Sequence, residues 1–190
     1  MYYQEITLKP TEEIPLFKLW TKVYMQLHLT FKTITKIYGK GEIGIAFPEY
    51  SSKGFGRKIR LFANDGEVLA TASILHALDI YADYVTITEI QPLPDKPLKY
   101  IMYCRYHPDG SPGQKARRFA KRHEGVTVEE ALTFMKPHEN KALPYTQMCS
   151  KTTNHRFKLF VEKRESPIPN NSIEYTSYGL SMNGSTVPDW

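Results

Sequence analysis

The chain has 190 residues, of which 41% are hydrophobic and 24% charged, with a formal net charge of +5 at pH 7. That length suits one well-buried domain or two small ones, and so modest a total charge leaves any polyanion to be met by a local patch. Cys104 and Cys149 lack CxxC spacing, which argues against a disulfide scaffold or zinc knuckle, and no apolar run approaches the ~18 residues of a membrane span, so a cytoplasmic protein with no membrane partner is expected.

Tyr2 to Lys9 alternates enough for a first strand. Pro15 then opens a long helix that carries Leu16, Leu19, Trp20, Val23, Tyr24, Leu27, Phe31 and Ile34 on one stripe, and Gly39 ends it. Ile43–Pro48 and Lys58–Ala63 read as strands, Glu67–Tyr81 as a second helix and Tyr84–Ile90 as a strand. This β-α-β-β-α-β order predicts a ferredoxin-like domain over residues 1–93, and the prolines from Pro92 to Pro97 predict a linker.

A smaller C-terminal domain is expected over residues 94–190, making the whole chain α+β. It begins with a strand, Tyr100–Tyr106, and continues with a basic helix over Pro112–His123. Ser111 is the expected N-cap, with Pro112 at the first helical position, Gln114 completing a capping box and Gly125 as the stop. Thr127 and Glu130 form a second capping box, opening a helix that ends at Pro137. Phe157–Val161 and Tyr175–Leu180 are further strand candidates.

The basic helix is the chain's strongest functional signal. Lys115, Arg117, Arg118, Lys121 and Arg122 fall on one arc of roughly 160°. Like-charge pairs such as Arg117/Lys121 and Arg118/Arg122 each cost about 0.2–0.5 kcal/mol in an isolated helix. A merely solvated face usually mixes signs at this spacing, and a membrane-surface helix would carry leucine or tryptophan where this one carries alanine. The arrangement points to a nucleic-acid backbone, with a solvated face or a membrane or protein contact as the alternatives.

Other motifs exclude more than they assign. Lys53-Gly-Phe-Gly56 matches the first positions of an RNA-recognition signature, but Arg57 and Arg60 stand where stacking rings belong, so a glycine-containing loop leading into a basic strand is expected. His76, His107, His123, His138 and His155 are scattered without metal-ligand spacing, and no Walker-type phosphate loop is present. If the chain cleaves a phosphodiester, a metal-free route is favoured: attack by a neighbouring RNA 2′-hydroxyl, assisted by a general base and nearby positive charge. His28, at the border of the first helix's apolar stripe, is a candidate base and equally a structural histidine.

Several segments in order carry a resemblance: Leu27-His28, Ile43–Pro48, Arg105 ahead of Pro112 and the basic helix, Ser150–Thr153, Phe157–Phe160, Tyr178–Ser181 and Val187-Pro188. Together they resemble the CRISPR-repeat endoribonuclease of type I-F systems, the Csy-type member of the Cas-six superfamily, over nearly the full chain. The resemblance implies a ferredoxin-like domain followed by a domain bearing an arginine-rich helix. It also implies binding of the repeat stem-loop in precursor CRISPR RNA and cleavage at its 3′ base. No metal or other cofactor is implied; the products are a 2′,3′-cyclic phosphate and a 5′-hydroxyl, and the processed RNA stays bound within a surveillance complex with other type I-F subunits. The alternative is a non-catalytic hairpin-binding subunit of the same kind of complex.

Carried over by motif, His28 matches the general base, Ser150 a serine that fixes the ribose and Tyr178 a tyrosine that orients the histidine. Lys115, Arg117, Arg118, Lys121 and Arg122 match the helix laid along the RNA stem. Phe157 matches an aromatic stacked beneath the terminal base pair, against the competing reading of a buried strand phenylalanine, and Arg105 matches an arginine that reads guanine. Where the better-known pattern has glutamine, this chain has His107, whose imidazole lacks an amide's paired donor and acceptor, so a different base preference is expected. The helix is also less arginine-dense than the best-known form, which implies fewer bidentate phosphate contacts.

Overall fold

The computed structural model describes residues 1–95, 99–108, 112–134, 141–150, 154–170 and 174–190. Strand β1 (Tyr2–Leu8) leads into helix α1 (Leu16–Tyr38), then β2 (Gly44–Ala46), β3 (Lys58–Ala63), α2 (Gly66–Ala72), α3 (Ile74–Ala77) and β4 (Val85–Ile87). These strands form an antiparallel sheet in the order β2-β3-β1-β4, the ferredoxin-like arrangement, with β5 (Gln91–Pro92) also paired to β1. A second antiparallel sheet, β7-β8-β6-β9, is built from β6 (Lys99–Tyr106), β7 (Tyr145–Cys149), β8 (Arg156–Ser166) and β9 (Val187–Asp189). Between β6 and β7 along the chain lie α4 (Pro112–Arg122) and α5 (Val128–Phe134). The architecture is α+β.

The chain divides into two compact units, Met1–Tyr106 with Leu143–Trp190, and His107–Ala142. Residue 93 falls between the two sheets along the chain, and both sheets belong to the first unit, where they share one core.

Helix α1 follows from its sequence. The Pro15 carbonyl accepts from Lys18 and Leu19, and Gly39 closes the helix in the left-handed conformation (φ 78°), donating to Thr35. Leu19, Trp20, Val23, Tyr24, Leu27, Phe31 and Ile34 are buried. Each such aliphatic or phenylalanine side chain, fully buried, contributes about 1.5–3 kcal/mol. The stripe meets Phe47 and Phe55, with ring centroids 5.6 and 5.1 Å from Trp20. Tyr103 of β6 then joins the sheets, its ring edge-on to Phe47 at 5.0 Å and its hydroxyl donating to the Phe47 carbonyl at 3.1 Å.

The Lys53–Gly56 segment is a turn, as expected, with Phe55 in the core and the Gly56 carbonyl accepting from Trp20 Nε1 at 2.8 Å. The strand it enters pairs its cations internally: Lys58 Nζ and Arg60 Nε each donate to Glu5 at 2.8 Å, and the Arg60 guanidinium lies over the Trp190 ring at 4.1 Å.

Three expected elements need correction. The helix expected over Glu67–Tyr81 is broken at Ser73, whose left-handed backbone (φ 44°) separates α2 from α3, and a 3₁₀ segment (Asp79–Tyr84) follows. The linker begins later than expected, because Gln91 and Pro92 are held against Tyr3 and Tyr2. Tyr175–Leu180 is a tight turn instead of a strand: Leu180 accepts from Thr176, Thr176 accepts from Gly179, and only Tyr175 and Ser181 bridge. Strands β7 and β9 are additional to the expected elements.

Candidate active site

His28 projects from the edge of α1's buried stripe and is half-buried. Its Nδ1 lies 2.7 Å from the carbonyl oxygen of Ser177. A carbonyl can only accept, so Nδ1 carries the proton and Nε2 keeps the lone pair. Burial pushes the imidazole's pKa down, the Ser177 hydrogen bond pushes it up and the Lys32 charge pushes it down, for a net shift below the ordinary value. The ring is therefore neutral near pH 7, with a free basic nitrogen.

The Tyr178 ring stacks on His28, with centroids 4.3 Å apart and planes within 8°. Local bonds hold it there. The buried Tyr24 hydroxyl donates to the Tyr178 carbonyl at 2.9 Å, and burial, reinforced by the neighbouring Tyr178, raises the Tyr24 pKa so that this donor keeps its proton. Gly179 then turns the chain with φ 72° and accepts from the Ile45 amide at 2.9 Å. A Cβ at this position would stand 2.9 Å from Phe31 and 3.1 Å from Ile45, so the turn needs glycine for both conformation and space.

Arg105, exposed at the end of β6, places its guanidinium carbon 5.4 Å from the ring centroids of both Phe157 and Tyr178. Phe157 is half-buried on β8, opposite Met148 of β7. Ser150 follows β7, its amide donating to the His155 carbonyl at 2.9 Å. These residues line one cleft of about 410 Å³ together with His28 and Lys32, and among the described residues no aspartate or glutamate lines it. Among the described residues, two cations and no anion surround a neutral base, a combination suited to a phosphodiester.

Of the expected site residues, the fold thus brings together His28, Ser150, Tyr178, Arg105 and Phe157. His107 is exposed and belongs to the second unit. There, α4 packs on α5, and Ala116 of the first and Ala131 of the second are fully buried. Arg117, Arg118, Lys121 and Arg122 are exposed, and among the described residues none pairs with a carboxylate, while Lys115 is half-buried. His123 stacks on Phe119 at 4.0 Å, Gly125 turns the chain with φ 82°, and the Thr127–Glu130 capping box forms as expected. Ser111, and with it the first capping box, lies outside the described residues, as does the Lys151–Thr153 part of the serine motif.

Sequence reasoning missed Lys32, Ser177 and Tyr24. Lys32 is one helical turn beyond His28, and that i,i+4 spacing could have found it. The Ser177 carbonyl lies 149 residues from His28 in sequence, and nothing in the chain announces it. Among the described residues, no three histidine, cysteine, aspartate or glutamate side chains cluster to hold a metal ion. None of the described helices is long and apolar enough to cross a membrane.

A family model described as CRISPR-associated protein (Cas_Csy4) matches residues 3–190. The chain is 27% identical over 189 residues to a Pseudomonas aeruginosa (strain UCBPP-PA14) protein named CRISPR-associated endonuclease Cas6/Csy4, with 96% of each chain covered. It is 26% identical over 196 residues to an Escherichia coli (strain UTI89 / UPEC) protein of the same name, with 98% of each covered.

Proposed function

The chain belongs to the Csy4 family of CRISPR-associated proteins, and from that membership we propose that it is the endoribonuclease that binds the repeat stem-loop of precursor CRISPR RNA and cuts at its 3′ base without a metal ion. The observation that carries the chemistry is the Nδ1–Ser177 hydrogen bond, which leaves Nε2 of a neutral His28 free to take a proton. In this reading Nε2 removes the proton of the 2′-hydroxyl, the 2′-oxygen attacks the adjacent phosphorus, and the bond to the 5′-oxygen breaks. The leaving 5′-oxygen takes a proton from water, and the hydroxide so formed removes the proton from the His28 imidazolium, so the products are a 2′,3′-cyclic phosphate and a 5′-hydroxyl and the imidazole returns neutral. Such base catalysis is typically worth ~10²–10⁴-fold.

Ser150 holds the ribose for in-line attack, and Tyr178 keeps the imidazole in orientation by stacking on it. Lys32 and Arg105 supply positive charge to the phosphate, and Phe157 offers a ring for the last base pair of the stem. The exposed cations of α4 grip the stem's backbone. The processed RNA stays on this grip, and the protein acts in the cytoplasm as one subunit of a surveillance complex.

The test is incubation with repeat RNA in excess chelator, beside the same RNA carrying a 2′-deoxy substitution at the cleavage nucleotide. Cleavage of the ribose substrate alone is expected. Cleavage of the deoxy substrate would sink the 2′-hydroxyl mechanism, and failure to cleave either would leave only hairpin binding.

A further inference from the structure

The catalytic cleft does not end at His28. A second cleft, of about 480 Å³, runs on between α1 and β7, and the two share Met25, Met148 and Cys149. Phe157, Arg105 and Tyr178 line only the first; Lys22, Gln26, Tyr81, Asn154 and Arg156 line only the second. Along α1 the order is Lys32, His28, Met25, Lys22, and at 1.5 Å per residue Lys22 stands about 9 Å along the axis from His28. Both clefts lie within the first compact unit.

The second cleft has the chemistry of a single-strand site. Among the described residues that line it, Lys22 and Arg156 are the charged ones, both are exposed, and none is a carboxylate. Lys22 Nζ sits 5.9 Å from the centroid of the Tyr81 ring, so one cation and one flat aromatic share a wall. Gln26, Gln147 and Asn154 add amides able to donate and accept along a base edge. A volume near 480 Å³ is that of a small-ligand pocket and far below that of a duplex.

Resting on the endoribonuclease reading, we propose that this second cleft is a subsite for the single-stranded RNA on the 3′ side of the scissile phosphate. Direction follows from the in-line requirement: the attacking 2′-oxygen and the leaving 5′-oxygen lie on opposite sides of phosphorus. The stem end stacks at Phe157 and the attacked ribose sits by His28 and Ser150. The chain beyond the leaving oxygen then passes over Met25 and Met148, with the next phosphate near Lys22 and Arg156 and a base against Tyr81.

Two RNAs test this: the repeat hairpin ending one nucleotide past the scissile bond, and the same hairpin with a four-nucleotide single-stranded 3′ extension. Under single-turnover conditions with the wild-type full chain in excess, the extended RNA is expected to be cleaved with about tenfold higher efficiency at subsaturating protein, the gain residing in the half-saturating protein concentration. Lys22→Ala with Arg156→Ala should bring the extended RNA down to the level of the short one, and Lys22→Arg alone should keep the advantage. Both side chains are exposed, and a thermal melt confirms that the double variant folds. Equal single-turnover efficiency for the two RNAs with the wild-type protein, or an advantage that survives the double substitution, overturns the subsite. Cleavage of neither RNA by the wild-type protein removes the endoribonuclease reading, and the subsite with it.

Discussion

His28 and Tyr178 lie ring on ring, 4.3 Å between centroids, while the residue preceding that tyrosine holds the histidine's Nδ1 through its carbonyl. One short turn thus sets both the plane of the imidazole and its tautomer. The arrangement matters because only the lone pair at Nε2 can act as a base.

Cleavage should therefore depend on pH through a single depressed group. With the His28 pKa below the usual ~6.5, the rate should rise as pH climbs through that lowered value and level off before pH 7. The Lys32 charge disfavours the imidazolium, so Lys32→Ala should raise this pKa and move the acid limb to higher pH. Arg105, Cys149 and Tyr178 share the cleft and remain in the variant. A pH–rate series under single-turnover conditions checks both points; an unmoved acid limb in the variant would mean that Lys32 does not act on His28.

Gly179→Ala should disrupt the turn that carries Tyr178. The new Cβ meets Phe31 and Ile45 at about 3 Å and sits on a backbone with φ 72°, which together should cost roughly 1–3 kcal/mol. Denaturant unfolding reads the stability, and cleavage reads the accompanying loss of His28 orientation. A variant as stable and as active as the parent would contradict the geometry described for this turn.

The α4 cations predict a salt effect. Replacing Arg117, Arg118, Lys121 or Arg122 by alanine should weaken hairpin binding and lower the slope of log K against log salt by about 0.9 for each phosphate that is no longer neutralised. Binding titrations at several salt concentrations measure it. A slope unchanged in all four variants would return this helix to an ordinary solvated face.

Glu5 predicts an acid sensitivity unrelated to catalysis. Burial raises its pKa, but hydrogen bonds from Lys58 and Arg60 outweigh that and leave the carboxyl below its ordinary value of 4.5. Its stabilising contribution is thus complete above about pH 4.5 and is lost as pH falls through the lower folded value. Glu5→Gln should cost about 1.5–3 kcal/mol near neutrality, the worth of hydrogen bonds to a charged group, and should flatten the acid branch of the stability curve.

The sequence carried the fold where periodicity was strong and lost it where tertiary contacts decided. The α1 stripe, its Pro15 and Gly39 boundaries and the border position of His28 were all legible, because a 23-residue helix repeats its pattern many times. The break at Ser73 was not, since no proline or glycine marks it. The aromatic and polar residues from Tyr175 to Leu180 suggested a strand, yet the left-handed Gly179 and the Thr176 hydrogen bonds make a turn. Strand β7 hid because it buries Thr146 beside Met148, and β9 because Pro188 discourages a strand except at an edge, which is where it lies. In the site, family motifs pointed to His28, Ser150 and Tyr178, whereas the Ser177 carbonyl and the Tyr24 hydroxyl act through contacts that only the folded chain creates.

If His28 takes the proton of the 2′-hydroxyl, its removal must slow the chemical step without loosening the RNA. The most direct measurement compares wild type and His28→Ala for single-turnover cleavage of repeat RNA at saturating protein, with hairpin affinity measured in parallel. Base catalysis predicts a fall of ~10²–10⁴-fold in the cleavage rate, with hairpin affinity little changed. A His28→Ala protein that binds the hairpin and cleaves it as fast as the wild type would remove His28 as the base.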